Sequence, residues 1–165
     1  MNIKLKSVIV LLLAALSTSV FAEKLADPEH VKKFYATGSC INCELSEERL
    51  IYRTFCQNSD MQGSNLSRST VRCDFSSANF SGINGIRAIF DGHNYTRTNF
   101  SNAILIGATF TDRNMGYADF SGANVRDADF SKTILYGSKI TKDQLDSAKS
   151  VCGAVLPDGS TGQCK

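Results

Sequence analysis

From Cys73 onward the chain falls into blocks of five: CDFSS-ANFSG-INGIR-AIFDG-HNYTR-TNFSN-AILIG-ATFTD-RNMGY-ADFSG-ANVRD-ADFSK-TILYG-SKITK. The third residue of each block is usually apolar and the first is usually small. A strict short period means stacked, near-identical units rather than one globular core. Such a fold offers long flat faces and often no catalytic cleft.

The ends of the chain bound where it works. Lys4 and Lys6 precede an apolar run, Val8–Leu16, too short to span a bilayer. Val20-Phe21-Ala22 then places small residues at the −3 and −1 positions of a cleavage site. This pattern predicts a secretory signal peptide over residues 1–22. Lys4 and Lys6 account for two of the 18 basic residues, so cleavage leaves basic and acidic residues balanced at 16 each. No basic tract is present to hold phosphates, so no nucleic-acid partner is expected. No second apolar stretch is long enough to cross a membrane, and the expected location is periplasmic or secreted. The six cysteines, Cys40, Cys43, Cys56, Cys73, Cys152 and Cys164, all follow the leader. An even count in an exported chain predicts disulfides, though many pairings remain open.

The central residues of the blocks, position i, run Phe75, Phe80, Gly85, Phe90, Tyr95, Phe100, Leu105, Phe110, Met115, Phe120, Val125, Phe130, Leu135 and Ile140. Small residues such as Ala78, Ala88, Ala103, Ala108, Ala118, Ala123 and Ala128 dominate position i−2. Blocks such as Ala78-Asn79-Phe80, Ala118-Asp119-Phe120 and Ala128-Asp129-Phe130 carry the pattern A-[DN]-[LF]-x-x, and in this the chain resembles the pentapeptide repeat family. The segment Gly38–Ser46 also resembles the opening of exported members. The resemblance covers roughly Cys40 to Ile140. It implies an all-β fold: a right-handed quadrilateral β-solenoid, one block to a face and four blocks to a coil. Coils would stack about 4.8 Å apart through backbone pairing. Upstream, one residue is missing between Val71 and Phe75, and one is inserted between Leu50 and Cys56. The tally of about five coils gives a shaft of roughly 24 Å.

In that register Phe90, Phe110 and Phe130 stack on one face, and Phe80, Phe100 and Phe120 stack on the opposite one. Each buried ring contributes on the order of 2–3 kcal/mol. Cys56 and Cys73 fall side by side on successive coils and are expected to pair. Cys152 and Cys164 bracket a C-terminal turn and are expected to pair, which leaves Cys40 with Cys43. Asp27-Pro28-Glu29 predicts the start of a short helix whose Val31, Phe34 and Tyr35 press on the first coil. Thr141-x-x-Gln144 is a capping box, predicting a second helix to about Val151 with Leu145 and Ala148 facing the last coil. Pro157-Asp158-Gly159 is a turn. The expected organisation is therefore a leader (1–22), an N-terminal helical cap (23–39), a solenoid (40–140) and a C-terminal helical and disulfide cap (141–165).

Three places break the pattern. His93 and Arg113 are large and polar for the inward i−2 slot. They are expected either to swing outward or to meet an acid such as Asp91 or Asp112, and with Arg97 they make a candidate site for a small anion. Gly85 at i beside Ile83 at i−2 predicts a bulge. Outward Ile86, Ile104 and Ile106 make an apolar patch on a polar wall, a candidate protein-partner surface. Catalytic machinery is not expected: His30 and His93 are the only histidines, and no Ser-His-Asp set, phosphate loop or paired carboxylates in a cleft stand out. No cofactor or metal is expected, since only Cys40 and Cys43 have metal-ligand spacing. The function expected is a non-enzymatic, monomeric interaction scaffold with an unidentified protein partner. The alternatives are a thiol-redox protein using Cys40 and Cys43, or an anion binder at His93 and Arg113.

Overall fold

The structure, a computed structural model, describes residues 26–51 and 56–164. The expected leader lies outside these residues.

The repeat acts through one local device used again and again. At most corners the N–H of the small residue donates to the carbonyl of the preceding central residue, as Ala78 does to Phe75 (3.0 Å) and Ala108 to Leu105 (3.0 Å). The residue two after the centre is left-handed from Ser77 through Gly137, with φ between 56° and 69°, except at Gly92. That is the type II arrangement, which needs positive φ at its third residue. The Asn or Asp before the centre then accepts from the N–H just after it: Asn79 Oδ1 from Ser81 (3.2 Å), Asp129 Oδ1 from Ser131 (3.0 Å). Asn and Asp recur because their short side chains close this turn.

Blocks joined this way pair in parallel. β1 (Arg49–Ile51), β2 (Thr70–Arg72) and β3 (Ile89–Phe90) form a sheet in the order β1-β2-β3. Single-residue bridges continue the ladders, for example Asn79–Asn99–Asp119–Lys139 and Asn84–Ile104–Asn124. Partners there lie four blocks apart. Glu44 pairs with Asn65 and Arg49 with Thr70, one residue more than four blocks; Asp60 pairs with Asn79 and Thr70 with Ile89, one fewer. The inserted and missing residues thus fall where the period predicts them. The result is a β-solenoid-type fold.

Inside, the rings form two long stacks and a shorter Phe75–Tyr95 pair (6.0 Å). Phe80–Phe100 and Phe100–Phe120 are near-parallel at 5.3 and 5.2 Å, and Phe90–Phe110 and Phe110–Phe130 at 4.6 and 5.2 Å. The stacks meet edge-to-face, as in Phe90–Phe100 (5.6 Å, 88°) and Phe120–Phe130 (5.7 Å, 90°). Both geometries suit the ring quadrupole.

Gly85 does not bulge. Its N–H donates to the Ile104 carbonyl (2.8 Å) and its own carbonyl accepts from Ala88 (3.1 Å), as at most other corners. The reason is volume exchange. A Cβ on Gly85 would lie 2.9 Å from Leu105 Cδ2 and 3.5 Å from Ile83 Cδ1, so the buried Ile83 fills the space that a larger central residue takes elsewhere.

Helix α1 (Pro28–Thr37) starts at Asp27, whose side chain accepts from Glu29 N–H, and ends at left-handed Gly38. Phe34 is fully buried and Val31 packs against the core. Tyr35 is 40 % exposed rather than pressed inward, and its hydroxyl donates to the Arg49 carbonyl (3.0 Å). Helix α2 (Lys142–Ser147) has the expected capping box between Thr141 and Gln144. It stops before Val151, because the chain rejoins the ladders: Ser150 pairs with Asp129 and Val155 with Ile134. Pairing therefore runs past Ile140, the expected end of the repeat. The tail then turns at Pro157-Asp158-Gly159, and Thr161 lies antiparallel on Val155.

Two outcomes test this packing. Ile83→Ala should lower stability by about 2–5 kcal/mol and Gly85→Leu alone by about 1–3, while the double variant recovers part of the loss; urea unfolding with the disulfides intact reads this. Asp119 is half-shielded. Burial raises its pKa, but hydrogen bonds from Lys139 and Ser121 outweigh that and hold it at about 2. A depressed carboxylate stabilises the fold above its unfolded value of about 4 and loses that contribution as pH falls through its folded one. The stability advantage over Lys139→Met should therefore be full above about pH 4 and fade toward about pH 2.

Candidate functional site

Only the residues flanking each centre face outward, so any site must be built from them. Most are Asn, Asp, Ser or Gly. The exceptions cluster.

On the wall of Leu105 the ladder position carries Asn84, Ile104 and Asn124 in turn. Ile104 is 43 % exposed and lacks the carboxamide that closes the turn at Asn84 and Asn124. Ile86 and Ile106 are half-buried and follow one another in equivalent positions of successive turns, Arg68 N–H binding the Ile86 carbonyl and Arg87 N–H that of Ile106. The structure therefore sets all three isoleucines on one wall. Ile89, 46 % exposed, lies just around the corner, beyond Arg87.

The second candidate comes apart. His93 is exposed. Gly92 is buried in its stead, with its N–H on the Tyr95 hydroxyl (3.1 Å). A Cβ at Gly92 would stand 1.9 Å from the Cys73 carbonyl oxygen, so only glycine fits. The Tyr95 hydroxyl in turn donates to the Val71 carbonyl (3.1 Å), and burial pushes this phenol well above its ordinary value. Arg113, its side chain 17 % exposed, donates to Asp91 Oδ1 (2.9 Å). Arg72 Nε donates to the other oxygen of Asp91 (2.7 Å). Asp91 thus bridges two guanidinium groups. Arg97 stands apart from both, its guanidinium carbon 5.9 Å from the centre of the Tyr117 ring.

The structure pairs Cys40 with Cys43, Cys56 with Cys73 and Cys152 with Cys164. Cys40 and Cys43 are buried in the core, at 0 % and 2 % exposure, so neither presents a sulfur to an attacking thiolate. A groove of about 610 Å³ beside them is lined by Asp27, His30, Asn42, Glu44 and Asn65 among others. Its polar atoms are engaged: His30 Nδ1 accepts from Glu44 N–H (3.0 Å), and Glu44 Oε1 from Asn65 Nδ2 (2.8 Å). Among the described residues no group of three or more His, Cys, Asp or Glu is placed to hold a metal, and no helix is long and apolar enough to cross a membrane.

The sequence reading missed a pair of tyrosines. Tyr117 and Tyr136 are 54 % and 50 % exposed and meet edge-to-face at 5.9 Å. The register contained the signal: Tyr117 stands four blocks after Arg97, on the same corner.

Parallel ladders around a shaft of stacked rings define a structural repeat scaffold. The repeats between residues 71 and 141 are those of the pentapeptide repeat family. The model of that family, described as pentapeptide repeats, matches residues 71–105 and 103–141 with 8 copies. No curated protein matches the sequence. Among solved structures, a pentapeptide repeat protein from the cyanobacterium Cyanothece 51142 is 21 % identical, with 67 % of this chain and 86 % of that one covered and a TM-score of 0.33. HetL, a pentapeptide repeat protein involved in heterocyst differentiation regulation in the cyanobacterium Nostoc sp. strain PCC 7120, is 28 % identical with a TM-score of 0.32; the match covers 74 % of this chain but 51 % of HetL, so the chain spans about half its length. A pentapeptide repeat protein from the Arabidopsis thaliana thylakoid lumen is 25 % identical, with 73 % and 80 % covered and a TM-score of 0.31.

The Asp91 bridge yields a stability test. Asp91→Ala leaves Arg113 half-buried without its partner and should cost about 1–3 kcal/mol. Arg113→Met leaves Asp91 still paired with Arg72 and should cost less than about 1 kcal/mol. Denaturant midpoints at neutral pH compare the two.

Proposed function

We propose that this chain is an exported, non-enzymatic scaffold that binds a protein partner through the wall carrying Ile86, Ile104 and Ile106. In this reading it is a right-handed, four-sided solenoid of about five coils. Helices α1 and α2 and the C-terminal tail cover its ends, and it acts as a monomer in the periplasm or outside the cell.

The observation that carries the reading is Ile104. In its column an Asn both closes the turn and keeps the wall wet. Isoleucine does neither, and it leaves an apolar side chain 43 % exposed beside two more on the same wall. A local rule broken without a gain in packing points to a use outside the fold. Arg87 borders the patch, and beside it Arg68 and Arg126 are ion-paired with Glu47 and Asp127. Cysteines in disulfides suit an oxidising compartment. Covered ends favour a monomer, because they leave no bare strand edge to pair with a second copy.

Cross-linking the protein in its native envelope, followed by mass spectrometry, tests the site. The native chain should capture a defined partner, and a folded Ile86→Ser/Ile104→Ser/Ile106→Ser variant should lose it. Equal capture by both chains would overturn the assignment of this wall.

A further inference from the structure

A second surface lies on another wall, separated from the isoleucines by the Phe90–Phe110–Phe130 wall. We propose that Tyr117, Tyr136 and Arg97 form a docking notch for an extended segment of a partner polypeptide, one that presents a proline or aliphatic side chain to the rings and a carboxylate to Arg97.

The notch is built into the solenoid. The two rings stand at 85° to each other, 5.9 Å apart, and make a floor and a side wall. Each is seated on a glycine of the adjoining turn. A Cβ on Gly137 would fall 2.6 Å from Tyr117 Cε1, and one on Gly159 3.7 Å from Tyr136 Cε2. The left-handed backbone does not by itself require glycine at 137, since Arg97, Asp127 and Lys132 take the same conformation at equivalent corners. What glycine adds there is room for the ring.

Neither tyrosine serves the core. Both are about half exposed, and Tyr117 holds a bulky side chain at φ 59°, a conformation that costs on the order of 1 kcal/mol outside glycine and asparagine. Tyr136 follows Ile134, which occupies a ladder position without a turn-closing carboxamide and is 43 % exposed. The left-handed backbone serves the corner, but the exposed apolar area finds no return inside the molecule.

Chemistry selects the occupant. Tyrosine and arginine together are the residues that anchor protein interfaces, presenting rigid area at small entropic cost. Aromatic-walled grooves take extended, proline-containing segments, whose conformation is set before binding. Arg97 lies over the Tyr117 ring, and among the described residues no carboxylate pairs with it. At the other end, Asp158 precedes the glycine that seats Tyr136. The wall therefore runs from cation through rings to anion, and a complementary segment carries its acid at the Arg97 end. Rings set perpendicular make a corner of one face and one edge, which suits a compact side chain better than a flat sugar.

Selection from displayed random short peptides against the whole folded chain tests this. Enriched peptides should carry proline or an aliphatic residue next to Asp or Glu. The best of them, fluorescently labelled, should bind at least about tenfold more weakly to Tyr117→Ser and to Arg97→Gln. Gly137→Ala, which displaces the ring while keeping both tyrosines, should also weaken it. Arg97→Glu should turn the selection toward basic neighbours. The triple isoleucine variant should bind the same peptide unchanged, so failure here and failure of the Ile104 wall are separable. Thermal melts confirm that each variant is folded, and Arg97→Gln, exposed and outside the core, decides the matter if a tyrosine variant is not. Peptides enriched equally by Tyr117→Ser/Tyr136→Ser, peptides without acidic residues, or binding instead to soluble oligosaccharides that this double variant loses would each overturn the proposal.

Discussion

The shaft has a fixed cross-section, and each turn must fill it with one central side chain per wall. Parallel backbone pairing holds the walls at a set spacing, so the interior volume per turn hardly varies. Rings stacked at about the pairing distance satisfy this, as the parallel Phe80–Phe100–Phe120 and Phe90–Phe110–Phe130 stacks do. Departures are allowed only when volume is conserved locally. Gly85 is tolerated because Ile83 reaches into its place. Tyr95 is tolerated because its buried hydroxyl finds both a donor in Gly92 and an acceptor in Val71.

The outside obeys a different rule. An outward residue contributes little by packing, so its value to folding lies in closing turns and staying wet. Asn and Asp do both. Thr98 and Thr133 show a related economy within the wall, their hydroxyls donating to the Phe75 and Phe110 carbonyls (2.8 Å each). Against this background Ile104, Ile134, Tyr117 and Tyr136 contradict the fold's own preferences at outward positions. Consistency between local and global demands is what makes a sequence fold to one state. A group of violations on two separate walls therefore points to pressure from outside the fold.

Much of the fold was legible in the amino-acid sequence because a strict period converts position into place. Phe80 and Phe100 stack because they are four blocks apart, and Cys56 pairs with Cys73 because the shortened block brings them level. The hidden features involved substitutions between neighbours that the period treats as fixed. Counting fives puts His93 in the inward slot, but Gly92 occupies it, since only a residue without Cβ clears the Cys73 carbonyl. Counting likewise marks Gly85 as a defect, because the pattern scores each position alone while the core fills by pairs. The return of Ser150 and Val155 to the ladders was masked by α2, which interrupts the period for one wall and shifts the later blocks by a residue. Tyr117 and Tyr136 are plain in the sequence. Their significance depends on which way a corner residue points and on the glycines at 137 and 159, which carry no side-chain signal.

The two exposed surfaces are joined by continuous parallel ladders over stacked rings. Ile104 lies in the ladder with Asn84 and Asn124, and Ile134 in the ladder with Asn114 and Val155; between them run Ile89, Thr109 and Asp129, backed by the stacked rings of Phe90, Phe110 and Phe130. Packed rings and parallel bridges offer no second arrangement of similar energy, and coupling between sites needs an element with two states. Occupying one surface should therefore leave the affinity of the other unchanged unless the bound partners touch. Under the proposed reading such a scaffold would hold its partners at a fixed separation and orientation rather than transmit a conformational change. Whatever specificity it has must come from side chains already in place on its walls.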